Sequence, residues 1–269
     1  MKNYLPLIAA LLLVSGSTGA QPAVAKSLAK VIICLTYDDG LDSHISTVLP
    51  QLDSLKLKGT FFLNAIRGSS NSIGEPSKEL VAWTHAAKSG HELANHTLFH
   101  ACPSSLGFPK EFSVDDYTVE KILEEIKTQN SFLAIIDPNR KTRSFAFPCN
   151  NVYVAKTDYS KVILENGLVK FGRIGGDKNS VVADFKNLNP MQVPSWLVQE
   201  GTTLEELVAF AKKVKANGGL GIYQFHGVGG EFFKISSETH FAFLSYLKKN
   251  EDLYLVTTFS EAMKIALNP

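Results

Sequence analysis

Two carboxylates stand side by side in Thr36-Tyr37-Asp38-Asp39-Gly40, and two histidines stand four apart in His96-Thr97-Leu98-Phe99-His100. Neighbouring residues leaving a strand point to opposite sides, so one Asp can bind a cation while the other moves a proton. A spacing of four brings two imidazoles to one side of a helical turn. Two His and one carboxylate are a common ligand set for catalytic zinc, which leaves a coordination position open for water. A third histidine, His226 in Gln224-Phe225-His226-Gly227, could return a proton to a leaving group. The chemistry these groups suit is hydrolysis. An ion polarises a carbonyl and brings water to a pKa of about 7, a carboxylate takes the proton, and a backbone N–H stabilises the oxyanion. A serine-nucleophile route is disfavoured, because no G-x-S-x-G elbow occurs.

Positioning such groups requires strands that end together. Val31–Thr36 is apolar or β-branched throughout, as in a strand buried on both faces, and Gly40 supplies a turn. Helical spacing follows over Ile45–Leu57, a strand over Thr60–Leu63, a helix over Ser77–Ser89 and a strand over His91–Asn95. After a turn-rich insert, Cys102–Phe112, the pattern Ser113-Val114-Asp115-Asp116 predicts a helix start. Strands are expected at Arg143–Phe147, Val169–Arg173, Gln192–Trp196, Leu220–Phe225 and Leu253–Thr257. Helices are expected near Lys161–Asn166, from the Thr203 cap to Asn217, at Ser237–Lys249 and at Ser260–Leu267. This alternation implies an α/β fold, an irregular (β/α) barrel of about seven or eight parallel strands with its chemistry at the strands' C-terminal ends. The polar residues that look out of place fall there: Asp38 and Asp39, His96 to His100, the Phe147-Pro148-Cys149 turn, Arg173 and His226.

Residues 1–25 read as an export signal, with Lys2, the apolar run Leu7–Val14 and an Ala23-Val24-Ala25 cleavage pattern, leaving 26–269 as a single catalytic domain. The apolar run is too short to span a bilayer, and no later run is longer. The expected location is periplasmic or extracellular. With 27 basic and 26 acidic residues and no basic tract, nothing points to nucleic acid. In an oxidising compartment a bridge is permitted. Cys102 and Cys149 border the same expected site and are predicted to pair, with Cys34 a core residue.

Thr-Tyr-Asp-Asp-Gly, Gly-His-Glu-Leu-Ala-Asn-His-Thr-Leu-Phe-His and the late Phe-His-Gly together resemble the polysaccharide deacetylases, carbohydrate esterase family four, over about Val31 to Leu267. The resemblance implies that Asp39, His96 and His100 hold a divalent metal, usually zinc. Asp38 would be the general base and His226 the general acid. Thr97 would brace the histidine loop, and the Pro148-Cys149 turn would offer an N–H to the oxyanion. The implied partner is an acetylated glycan, the acetyl being N-linked or O-linked.

The chain also departs from that pattern. Ala146 stands where members often carry an Arg, with Arg143 three residues further back, and Arg173 is the candidate to orient Asp38. Gln224 stands where an apolar acetyl-pocket residue is usual. Trp196 either lines the cleft or belongs to the core, and Asp177 is the nominee as acidic partner of His226. His91 reads as structural, and His44, His85 and His240 as surface residues. Tyr37 and Phe225 read as packing residues. Two alternatives stay open: an amide hydrolase of the same scaffold on a small substrate, and a catalytically weakened carbohydrate-binding relative.

Overall fold

The computed structural model describes Met1 and residues 31–64, 78–107, 110 and 113–268. The expected export signal at 1–25 lies outside them, Met1 apart. Every residue of β1 (Val31–Asp38) is buried, as an apolar run with parallel neighbours on both sides requires. Its alternate residues enter two cores. Ile33, Leu35 and Tyr37 pack outward beneath the helices, whereas Ile32 and Cys34 pack into the interior with Phe62, Ala94, Ala146, Phe171 and Ile222. Counting on by twos, the interior face presents Asp38 as the strand ends.

The strands that follow are β2 (Thr60–Leu63), β3 (Glu92–Asn95), β4 (Ser144–Ala146), β5 (Tyr153–Val154), β6 (Thr157–Asp158), β7 (Phe171–Ile174), β8 (Val181–Val182), β9 (Val193–Pro194), β10 (Trp196–Leu197), β11 (Leu220–Phe225) and β12 (Tyr254–Thr257). The helices are α1 (Leu49–Ser54), α2 (Lys78–Lys88), α3 (Val119–Ile136), α4 (Tyr159–Glu165), α5 (Leu204–Asn217), α6 (Ser237–Lys249) and α7 (Phe259–Leu267). β5 and β6 form a separate antiparallel hairpin. The main sheet runs β10-β11-β1-β2-β3-β4-β7-β9, with β12 on β1 and the short antiparallel β8 on β11. Its two ends, β9 and β10, are consecutive in the chain and separated only by Ser195. One extended stretch thus lies against β7 with its first half and against β11 with its second. The result is a nearly closed, mostly parallel barrel.

The other mouth, where strands begin, is filled by α7, whose Phe259, Ala262 and Met263 join the interior cluster. Thr60 Oγ1 accepts from the Phe259 N–H at 2.8 Å, and the buried Glu92 carboxylate accepts from the Ser260 N–H at 2.8 Å and from Ser144 Oγ at 2.7 Å. The strand-end mouth is left open for chemistry.

Several elements depart from the sequence reading. The helix expected over Ile45–Leu57 begins with a π turn at His44–Val48 and continues as α only to Ser54. Ser113 caps a single 3₁₀ turn, accepting from the Asp115 N–H. The α3 helix starts only after Tyr117 has gone extended, capped by the Thr118 hydroxyl. The strand expected over Gln192–Trp196 is broken at Ser195, because crossing between the sheet's edges interrupts its pairing. The α5 capping box between Thr203 and Glu206 forms. Among the described residues no helix is long and apolar enough to cross a membrane.

Candidate active site

Asp39 leaves β1 with φ at 78°, which swings its carboxylate off the strand while its N–H donates to the Phe62 carbonyl at 3.0 Å. Its Oδ1 lies 3.4 Å from His100 Nε2 and 3.8 Å from His96 Nε2, and accepts from Asn64 Nδ2 at 3.1 Å. His96 Nδ1 donates to the Ala146 carbonyl at 2.8 Å, which fixes the tautomer and leaves the Nε2 lone pair open. Between the two histidines the chain turns tightly, with φ at 61° for Thr97 and 53° for His100. The Asn95 side chain accepts from the Thr97 N–H at 2.8 Å, and Thr97 Oγ1 accepts from the His100 N–H at 3.0 Å. Donor atoms of Asp39, His96 and His100 all lie within 4.8 Å of one another, a grouping able to hold a metal ion.

Cys102 and Cys149 are bridged, Cα to Cα 5.8 Å, tying the loop that carries His100 to the turn after β4. The bridge removes both sulfurs from ligation, although they too lie near His100. Pro148 opens that 3₁₀ turn. Cys149 and Asn150 sit in it with φ at 51° and 58°, a left-handed pair that costs backbone energy and is characteristic of functional turns.

Asp38 is held from the barrel interior. Arg173 Nη2 donates to its Oδ2 at 2.5 Å and Gln224 Nε2 donates to the same oxygen at 3.0 Å. Arg173 on β7 is the register neighbour of Ala146 on β4, so the guanidinium stands one strand away from the position where the resemblance places it. Burial alone would push the Asp38 carboxyl up. The Arg173 guanidinium, with His96 and His226, offsets that, and the net direction is down. Asp39 is likewise lowered: burial opposes, and His100 and His96 prevail. Burial, with His100 nearby, takes His96 down to about 4. His226 is lowered by burial, while Asp38 and Asp39 favour its cation. Its Nδ1 has no hydrogen-bond partner among the described residues.

Asp38, Asp39, His96, His100, Cys149 and His226 all line one cavity of about 570 Å³. Gln224 lines it too, at the position where the resemblance expects an apolar acetyl-pocket residue, and so do Leu197, Phe232 and Phe233, for which the sequence predicts no place in a cleft. Asn64 and Ser195 were also overlooked. Their one sequence signal is a small polar residue at or near a strand's C-terminal end. Trp196 faces the outer core, against Phe210 and Tyr223, because its register partner Tyr223 faces that way. Asp177 is exposed and accepts from the Asn179 N–H at 2.7 Å, so it is not a partner of His226. His91 is structural, accepting from the Gly59 N–H and donating to Asp53. His85 is exposed as expected, but His44 and His240 are fully buried. His44 Nε2 donates to the His226 carbonyl at 2.9 Å, while His240 takes the Tyr37 hydroxyl at 2.9 Å and pairs with Gln51 at 2.6 Å. Tyr37 stacks between Phe61 and Phe225.

The polysaccharide deacetylase family model matches residues 25–163. A chitin deacetylase of Arthroderma benhamiae is 30% identical over 164 residues, which is 60% of this chain and 37% of that protein. The chain thus spans little more than a third of that relative's length. The fold is similar to a family 4 acetyl xylan esterase from Clostridium thermocellum, solved with a cobalt ion, at TM-score 0.55 and 17% identity over 87% of this chain and 91% of that one. It is similar also to a peptidoglycan deacetylase from Bacillus subtilis, at TM-score 0.52 and 15% identity over 88% and 92%.

Proposed function

This chain belongs to the polysaccharide deacetylase family, and we propose that it is an exported, metal-dependent hydrolase that removes N- or O-linked acetyl groups from a polysaccharide or oligosaccharide. On this reading residues 26–269 are one catalytic domain behind an export signal at 1–25, working in the periplasm or outside the cell. The observation that carries the proposal is the convergence of Asp38, Asp39, His96, His100 and His226 on one cavity at the strand-end mouth of the barrel.

Asp39, His96 and His100 would hold the ion, and their chemistry suits it: one carboxylate, two imidazoles, and a tautomer at His96 fixed so that a lone pair is available. Zinc is the ion this donor set fits best. When bound it would polarise the acetyl carbonyl and make water more acidic. Asp38 takes the proton from the attacking water as the new C–O bond forms, its Oδ1 being the carboxylate oxygen with no protein donor among the described residues. The turn at Pro148-Cys149 offers a backbone N–H to the oxyanion. The proton that Asp38 takes from the water is passed on by way of His226, whose transient imidazolium Asp38 and Asp39 favour, to the sugar nitrogen or oxygen as its bond to the acetyl carbon breaks. Acetate and the free amine or hydroxyl are the products. Arg173 keeps Asp38 ionised and in place, and Thr97 braces the histidine turn.

The test is acetate release from N-acetylated chito-oligosaccharides, peptidoglycan and acetylxylan, with and without chelator. Acetate from at least one substrate, abolished by chelation, is expected. Silence on all three with zinc supplied overturns the proposal. Asp38→Asn should stop turnover and keep the metal, which a mere binding protein would not distinguish from wild type.

A further inference from the structure

The two oxygens of Asp38 are treated differently. Oδ2 receives Arg173 Nη2 at 2.5 Å and Gln224 Nε2 at 3.0 Å, while Oδ1 is buried with no partner among the described residues. The donors come from β7 and β11, far apart in sequence, and Ser195 joins them. Arg173 Nη1 donates to Ser195 Oγ at 3.0 Å, and that hydroxyl lies 2.8 Å from the Ile174 carbonyl and 3.1 Å from Gln224 Oε1. All three side chains are buried.

The ring fixes the Gln224 amide. Its NH₂ must face the carboxylate, since the reverse would set Oε1 against an anion. Its oxygen then faces the Ser195 hydroxyl. Ser195 occupies the break between β9 and β10, so the same residue that lets the sheet meet itself also braces the base. An apolar side chain at 224 would leave Oδ2 with Arg173 alone.

Resting on the deacetylase reading above, we infer that Gln224 and Ser195 are positioning residues for proton transfer. They saturate Oδ2 of Asp38 together with Arg173, so that Oδ1 alone is presented as the proton acceptor. Gln224 acts through the carboxylate and does not bind the glycan, although it lines the cavity.

The experiment compares zinc-loaded Gln224→Leu, Ser195→Ala and the double variant on an acetylated chito-oligosaccharide. Each single change should lower kcat about tenfold or more, the worth of one hydrogen bond to a charged group, with KM within about twofold and bound zinc unchanged. The double variant should fall no further than the worse single, because both act through one carboxylate. An unchanged kcat, a rise confined to KM, or additive losses would overturn the inference. Should Gln224→Leu fail to fold, Gln224→Asn, one carbon shorter, takes its place. A second readout needs no turnover: the Gln224 side-chain amide resonance in ¹⁵N-glutamine-labelled protein, assigned by its loss in the variant, should move in Asp38→Asn. A resonance that stays put overturns the contact. If wild type releases no acetate at all, it is the deacetylase reading that has failed, and the resonance still reports on the hydrogen bond.

Discussion

Arg173 and Ala146 are register neighbours on adjacent strands, and the guanidinium that reaches Asp38 Oδ2 at 2.5 Å comes from the first, not the second. Both residues face the barrel interior at one level, and the methyl of Ala146 leaves that level open. Arg173→Ala should strand a buried carboxylate and cost about 3–5 kcal/mol of stability, with at least a hundredfold loss of kcat expected. Adding Ala146→Arg moves the guanidinium by one strand spacing, about 4.8 Å, and should recover part of both losses. Urea midpoints and kcat of the single and double variants decide it; a double no better than Arg173→Ala means the position cannot be exchanged.

Stripping metal should stop acetate release and lower the melting temperature. Zinc at about a hundred times its Kd should restore about 2.7 kcal/mol. His96→Gln should erase that gain. An equal thermal shift in His96→Gln and wild type would place the ion elsewhere.

The Cys102–Cys149 bridge spans 47 residues, a separation at which loop-closure entropy predicts about 4 kcal/mol of stabilisation. Because it ties the His100 loop to the Cys149 turn, the double Ser variant should weaken zinc binding as well as lower the melting temperature. Calorimetry of zinc binding at a temperature where the variant remains folded separates the two effects.

Acid should destabilise the fold through His44 and His240. Burial lowers His44 to about 4, and burial with the neighbouring His44 lowers His240 to about 3. Unfolded, both protonate near their ordinary value of about 6.5. Their contribution is therefore fully present above about pH 6.5. It is lost as pH falls toward those folded values, by up to ~1.4 kcal/mol per pH unit for each group. His240→Gln should flatten the slope of unfolding free energy between pH 6 and pH 5 by one group's share. An identical slope would mean His240 titrates normally.

Phe232 and Phe233 are 39% and 47% exposed, with ring centres 5.6 and 5.3 Å from that of His226. Flat apolar faces at the cavity wall suit the C–H face of a sugar ring. Phe233→Ala should raise KM for a chito-tetraose by about three- to tenfold, typical of one aromatic contact, and leave hydrolysis of a small acetyl ester unaltered. Equal effects on both substrates would deny it a role in glycan binding.

Periodicity made much of this barrel legible. β2, β11 and α6 occupy the residues their patterns predict, because local apolar spacing and end signals suffice to define them. The grouping of Asp38, Asp39, His96, His100 and His226 at one mouth follows from strand-end polarity alone. What escaped depends on partners remote in sequence. His44 looks like a surface residue until the His226 carbonyl, 182 residues away, accepts its N–H, and His240 until it meets Tyr37. Pro194 marks an edge or interruption in this run, but that Ser195 is the crossing point between the sheet's two ends is not legible locally, because it comes from closure of the sheet. The Ser113 signal misled because capping chemistry serves a 3₁₀ turn as well as an α-helix.

β1 is bordered by β2, its near neighbour in sequence, and by β11 and β12, which lie about 190 to 220 residues further on. During synthesis its edge must therefore wait, unpaired, until almost the whole polypeptide has been made. A ribosome-released fragment stopping before Leu220 would expose that edge to other chains, and holdase binding or precipitation of such fragments is the outcome to look for.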